Sequence, residues 1–153
     1  MIETDFRNVL IADVGAGGVA TLLTGGIYTY EQTGRLGVNQ YSTPNAFDSV
    51  GLLKPCAVIK SRANVPDSQI TDLHLQWQSA RQAAEIWIYQ DGDAGYSVID
   101  QAVARIYRLL QARRAGGKPV RWLQTLSRPP RDESLNMACF SRIDFQVLAV
   151  EGV

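Results

Sequence analysis

The hydrophobic positions of this chain change period several times, and each change marks an expected element. Ile2, Phe6, Val9 and Leu10 recur at spacings of three and four between Glu3, Asp5, Arg7 and Asn8, so residues 2–13 are expected to form an amphipathic helix. Gly15, Gly17 and Gly18 end it, and Val19 to Leu23 leave room for one further helical turn. Ile27-Tyr-Thr-Tyr30 and Ala57-Val-Ile-Lys-Ser-Arg62 are short runs of β-formers. Between them, residues 31–54 are polar, carry Gly34, Gly37 and Pro44, and show no sustained period. A loop that long is either functional in itself or orders only against a partner.

Val65-Pro-Asp-Ser68 has the composition of a turn, and residues 64–90 form an extended strand or hairpin region. Leu73, Leu75 and Trp77 alternate with polar residues, as do Ile86 and Ile88 with Trp87 and Tyr89, but the first set is odd-numbered and the second even. A bulge or break within Ser79 to Ala84 would reconcile the two phases. After the turn Asp91 to Gly95, Ser97 and Asp100 have capping-box spacing. Ile99, Ala102, Val103, Ile106 and Leu110 then form one apolar helical stripe, with the helix running to about Arg113 and stopping at Gly116-Gly117. Val120 to Leu126 and Asn136 to Val150 read as strands, separated by Ser127-Arg-Pro-Pro-Arg131. The order α-β-β-β-α-β-β predicts a single α+β domain: an antiparallel β-sheet with two main helices packed on one face.

Composition adds little until charge is mapped. At 153 residues and 46% apolar, the chain can bury a core, and no run approaches the roughly 18 apolar residues of a membrane span. The start Met1-Ile2-Glu3-Thr4-Asp5 is acidic where a secretory signal is basic, so a soluble, cytoplasmic product without a membrane partner is expected. The net charge of zero hides a segregation. Residues 1–104 hold six cations against eleven anions, and residues 132–153 hold one against four. Between them Arg105, Arg108, Arg113, Arg114, Lys118, Arg121, Arg128 and Arg131 stand with no acid among them. Such a block attracts acidic protein faces, other copies of the chain, or polyanions such as DNA. Arg113 and Arg114, in the last turn of the expected helix, could instead serve only its dipole.

Candidate catalytic chemistry is sparse. Gly15-Ala-Gly17-Gly-Val-Ala20 matches the dinucleotide fingerprint, but a helix precedes it where a strand is required, and Gly25 leaves too short a helix after it. No lysine in the loop can meet a phosphate. His74 is the only histidine and sits on the polar side of an expected strand, with no nucleophile motif nearby. Asp91 and Asp93 lie in a turn, where Asp serves the backbone. Cys56 and Cys139, 83 positions apart in apolar surroundings, are expected to be buried free thiols. No catalytic, cofactor or metal residue is therefore assigned. Of the tryptophans, Trp87 is expected in the core, while Trp77 and Trp122 suit either core or interface. Tyr107 and Trp122 could also provide stacking platforms for a nucleic acid beside the basic block.

The initial amphipathic helix with its small-residue end, the short strand at Ile27 to Tyr30, the stretch from Glu85 to Leu110 and the closing strand Phe140 to Val150 together resemble the tail-completion or tail-terminator proteins of tailed bacteriophages. The resemblance covers nearly the whole length and rests on element order. It implies a virion subunit, made in the host cytoplasm, that forms a ring, typically a hexamer, on the head-proximal end of the tail tube. Such a ring ends tube polymerisation, docks to neck or connector proteins and surrounds the passing DNA. The long 31–54 segment and the extended 64–90 region depart from the pattern, which leaves an adjacent neck component as a further possibility. On this reading Arg113, Arg114, Lys118, Arg121, Arg128, Arg131 and Trp77 are the candidate partner-interface residues, for other subunits and the neck first and for non-specific DNA contact second. The alternative is a nucleic-acid-binding module built on residues 105–131.

Overall fold

The computed structural model describes residues 2–61, 65–66, 77–111, 113–115 and 117–152. The chain order is α1 (Ile2–Ile11), α2 (Val19–Leu22), β1 (Ile27–Thr29), α3 (Tyr30–Thr33), β2 (Cys56–Ser61), β3 (Val65–Pro66), β4 (Trp77–Gln90), α4 (Ser97–Leu110), β5 (Arg114–Ala115), β6 (Lys118–Leu126) and β7 (Cys139–Gly152). Setting aside the short α2, α3, β3 and β5, this is the expected α-β-β-β-α-β-β order. The strands form one seven-stranded sheet in the order β1-β2-β4-β7-β6-β5, with β3 pairing β4 beside this path.

The centre of the sheet is the antiparallel pair β4 and β7, in register from Trp77 opposite Gly152 to Gln90 opposite Cys139. The expected bulge within Ser79 to Ala84 does not occur: the register runs through it without a shift. The phase change in the sequence depended on Leu73 and Leu75, which with His74 lie outside the described residues, as do Asp67, Ser68 and the expected extension of β2 through Arg62. The bulge is instead in β6, between Trp122 and Gln124. There Val120 and Trp122 oppose Val147 and Phe145, while Thr125 opposes Ile143, so the extra residue Leu123 changes which parity faces the helices.

That face carries the main core. Ile86, Ile88, Ile143 and Phe145 of the sheet meet Ile2, Phe6 and Leu10 of α1 and Ile99, Ala102, Ile106 and Leu110 of α4 in one cluster. Phe6 meets Phe145 edge-on, with ring centroids 6.0 Å apart. Glu3, though buried, is satisfied at the end of β2, where its Oε1 accepts the Ser61 N–H at 2.9 Å. α1 stops at Ile11, short of the expected residue 13, and both boundaries of α4 also differ from expectation. Ser97 is not the cap of α4: Tyr96 holds that position with no side-chain bond, and Asp100 pairs with Arg128 instead of closing a box. The helix ends at Leu110, so Arg113 and Arg114 lie in the turn and hairpin beyond it rather than in its last turn.

The opposite face of the sheet explains the long segment. β1 pairs β2 in parallel, the exception in an otherwise antiparallel sheet, and a parallel pair requires a crossover of a dozen or more residues. Residues 31–54 supply it. They carry Val38, Ala46 and Leu53 into a second apolar cluster with Cys56, Val58 and Tyr89, half-covered by Trp87 and Phe140. The segment packs against its own sheet. Because Phe145 has no exposed surface, Phe145→Ala should lower unfolding free energy by about 3–5 kcal/mol in chemical denaturation; a loss below about 1 kcal/mol would contradict this packing.

Candidate interaction surfaces

The basic block is continuous in sequence and divided in space. β2, β4 and β7 fix two ends of the sheet: a near end, where Cys56, Gln90 and Cys139 align, and a far end, toward Trp77 and Gly152. Arg113, Arg114, Lys118 and Arg121 belong to the turn and β5–β6 hairpin that enters β6 at Val120, opposite Val147, toward the far end. Arg128 and Arg131 follow β6 in the loop returning to Cys139 at the near end. At about 3.3 Å per residue, Arg121 and Arg128 are roughly 20 Å apart along the strand direction. They do not form one surface.

Among the described residues, three cations of the block are held within the chain: Arg114 Nη1 donates to the Gly117 carbonyl at 2.6 Å, and two others form ion pairs. Arg105 grips Asp13 with Nε and Nη2, both at 2.8 Å, and Arg128 Nη2 lies 2.6 Å from Asp100 Oδ2 with its guanidinium over the Tyr96 ring. Arg128 also adopts φ 48°, a conformation unusual for a residue with a side chain. Arg113, Arg114 and Arg121 are exposed, as is Arg131. Lys118 opens β6 opposite Ala115, and Trp77 opens β4 opposite Gly152; the placement of their side chains lies outside what the structure describes.

Asp13 accounts for the glycine motif. Its carboxylate accepts the Val19 N–H at 2.8 Å and its carbonyl accepts that of Ala20 at 3.1 Å, so the loop wraps the aspartate. A Cβ at Gly18 would overlap the Asp13 carbonyl, which requires glycine there. The anion at the start of α2 is the protein's own, and α2 is only one turn long. The hydrogen bond from Arg105 holds the Asp13 carboxyl below its ordinary value of 3.8, more than offsetting the opposing effect of desolvation.

The tryptophans divide as well. Trp87 stacks on Phe140 and Tyr89 in the second core, with Lys60 Nζ 4.6 Å above its ring. Trp122 stands at the protein surface, 37% exposed, edge-on to Tyr107 of α4 at 5.7 Å. Leu123, the bulge residue, is exposed beside it. Backbone groups at both sheet edges are already engaged. Arg7 Nε donates to Ile27 O and Gln32 Oε1 accepts from Thr29 N on β1, while Val120 and Trp122 of β6 donate to Arg113 O and Gln111 Oε1.

At the near end, Leu52, Asp91, Asp93, Arg131, Asn136 and Met137 line a depression of about 250 Å³. Leu52 and Met137 are each 48% exposed. Asn136 and Met137 have φ of 52° and 57°, so consecutive left-handed residues shape the turn carrying the methionine. Asp132 and Glu133 follow Arg131 in the same loop. This patch has no sequence signature: its apolar residues come from separate loops, and only their exposure distinguishes them.

The turn acids show no catalytic arrangement. Asp91 Oδ2 accepts the Asp93 N–H at 3.2 Å, a turn contact. Both cysteines are free and buried, and burial pushes the Cys56 thiol up to about 12. Among the described residues, no group of three metal-ligating side chains converges and no helix is long and apolar enough to cross a membrane.

The class these features define is an α+β fold with one mixed sheet, helices on one face and a crossover segment on the other. No family model matches the sequence, and no curated protein matches it. Solved structures do share the fold. One is a chain described as the virion of the native gene transfer agent particle, with a TM-score of 0.61 at 12% identity over 98% of this chain and 95% of that one. At that identity the likeness establishes the fold over essentially the whole length.

Two outcomes follow from this geometry. In the native protein neither thiol should react promptly with a disulfide reagent, and both should react after unfolding; one fast native thiol would contradict the burial. The Asp13 contribution to stability is present above the unfolded value near 3.8 and is lost as pH falls through its lower folded value. Asp13→Asn should therefore destabilise at pH 7 and flatten the decline of stability below about pH 4, measured by urea denaturation across pH.

Proposed function

We propose that the chain is a structural virion protein of phage type, and more specifically a subunit resembling a tail terminator. The single observation carrying this reading is the fold likeness to a gene transfer agent virion chain over nearly both full lengths. A structural rather than enzymatic role accords with polar groups engaged in folding: Asp13 serves Arg105 and Val19, and Asp91 serves its own turn. In this reading copies form a ring, a hexamer in the family's usual form, that caps the head-proximal end of a tail tube, stops its growth and docks to neck or connector proteins. Its place is the tail or neck of a particle assembled in the host cytoplasm.

The distribution of charge supports such a subunit. Exposed Arg113, Arg114 and Arg121 lie toward one end of the sheet, while Asp91, Asp93 and Glu133 gather at the other. A subunit with opposite charge at two different places can join copies by heterologous contacts, which close into rings when the rotation permits. The same arginines would face DNA second, as non-specific phosphate contacts within the lumen.

The test is mass measurement at about 0.05 M and 0.5 M salt, with and without duplex DNA. The proposed subunit self-associates beyond the 16.8 kDa monomer at low salt, and Arg113→Glu with Arg114→Glu and Arg121→Glu weakens association at least about tenfold. Arg128 is unsuited to this test because it pairs with Asp100. A strict monomer that binds DNA with a steep salt slope would replace this reading with the nucleic-acid module.

A further inference from the structure

Among the exposed apolar side chains, two groups have charged neighbours of opposite sign. One is the Trp122–Tyr107 pair at the junction of β6 and α4, with Leu123 beside it. Arg108 follows Tyr107 in the helix, and the turn holding the exposed Arg113 bonds directly to β6 through the Val120 N–H, whereas Arg121, at the alternate strand position, belongs to the opposite face. The other is the near-end depression, where Leu52 and Met137 supply apolar walls and Asp91 and Asp93 acidic ones. Tryptophan, tyrosine and arginine are enriched among the residues that anchor protein interfaces, where they fill well-packed pockets and charges across the contact are complementary.

From this we infer that the two patches are the two halves of one heterologous contact: the Trp122–Tyr107 knob of one copy seats in the Leu52–Met137 depression of the next. The inference rests on the reading of the chain as a self-assembling subunit and assigns the surfaces it uses. Charge complementarity names a second copy as the occupant, since one molecule carries both the basic-aromatic and the acidic-apolar half. The sheet edges argue for side-chain docking over strand addition. The Ile27 carbonyl and the Thr29, Val120 and Trp122 N–H groups already have partners within the chain, leaving those edge positions poorly suited to pair with another strand. Arg131, on the rim of the depression, is outnumbered there by Asp91 and Asp93. Because the two halves differ, each copy leaves one of each unfilled, and the contact propagates until a ring closes.

A mixing experiment tests the contact. Trp122→Ser removes the knob, and Leu52→Ser with Met137→Ser removes the walls of the depression; sedimentation velocity follows each variant alone and the two together. Each variant alone should self-associate at least about tenfold more weakly than the parent, while their mixture should form one-to-one dimers, because each retains the half that the other lacks. If either variant fails to fold by circular dichroism, Arg113→Glu and Asp93→Arg, both at exposed positions, replace them: each alone should associate at least about tenfold more weakly, and their mixture, in which both contacts again have complementary charge, should regain the association of the parent. A parent that assembles while the variants assemble equally well overturns the assigned surfaces and leaves the assembly reading standing. Variants that are monomeric both alone and mixed overturn the heterologous pairing. A parent that stays monomeric at every concentration overturns both the contact and self-assembly.

Discussion

The register between β4 and β7 is the constraint on which the rest of the molecule depends. Residue for residue from Trp77 and Gly152 to Gln90 and Cys139, it places Ile86, Ile88, Ile143 and Phe145 under the helices. The alternate positions put Glu85 opposite Asp144 and Trp87 opposite Arg142 on the other face. Lys60 and Gln124 continue the first of these rows into β2 and β6, and Arg142 Nε lies 3.0 Å from Asp144 Oδ1. A slip of β7 by one residue would carry the Asp144 carboxylate and the Arg142 guanidinium beneath α1 and α4, and a slip of β4 would carry Glu85 there. The charged row is compatible with only one register, so it selects the register as firmly as the apolar face does.

From that pair the other features follow in order. β2 extends the sheet on one side, and the parallel addition of β1 obliges the chain to cross over, which it does along residues 31–54. The crossover closes the second core over Cys56, Val58 and Tyr89. On the other side β6 adds to β7, and its bulge turns Leu123 outward while keeping Val120, Trp122 and Thr125 toward the helices. Strand direction then sorts the charges. The hairpin entering β6 and the loop leaving it lie at opposite ends, so a basic block with no acid in its sequence becomes two separate groups.

Elements whose burial repeats with a single period could be read from sequence. α1, β1, α4 and β7 each follow one uninterrupted pattern, and Ile99, Ala102, Ile106 and Leu110 are all buried as their spacing requires. The crossover could not be read that way, because Val38, Ala46 and Leu53 are anchored by tertiary contacts at irregular spacing. The capping-box spacing at Ser97 is not used because Ser97 is already helical, with Tyr96 at the cap, and Asp100 pairs with Arg128, 28 positions away. Of the candidate interface residues, sequence identified the exposed Arg113, Arg114 and Arg121, but it could not separate them from Arg128, whose ion pair is intramolecular. Leu52 and Met137 were missed because two exposed apolar loop residues become a patch only when the fold brings them together.

A fold with positions on both sheet edges engaged, Asp13 and Asp100 held in ion pairs, and two exposed apolar groups with neighbours of opposite charge is suited to joining other protein surfaces. The most direct test of that account is electron microscopy of tail tubes assembled with and without the chain. A ring of density on one end of each tube, together with shorter tubes when the chain is present during assembly, is the predicted result. Bare tube ends with an unchanged length distribution would contradict it.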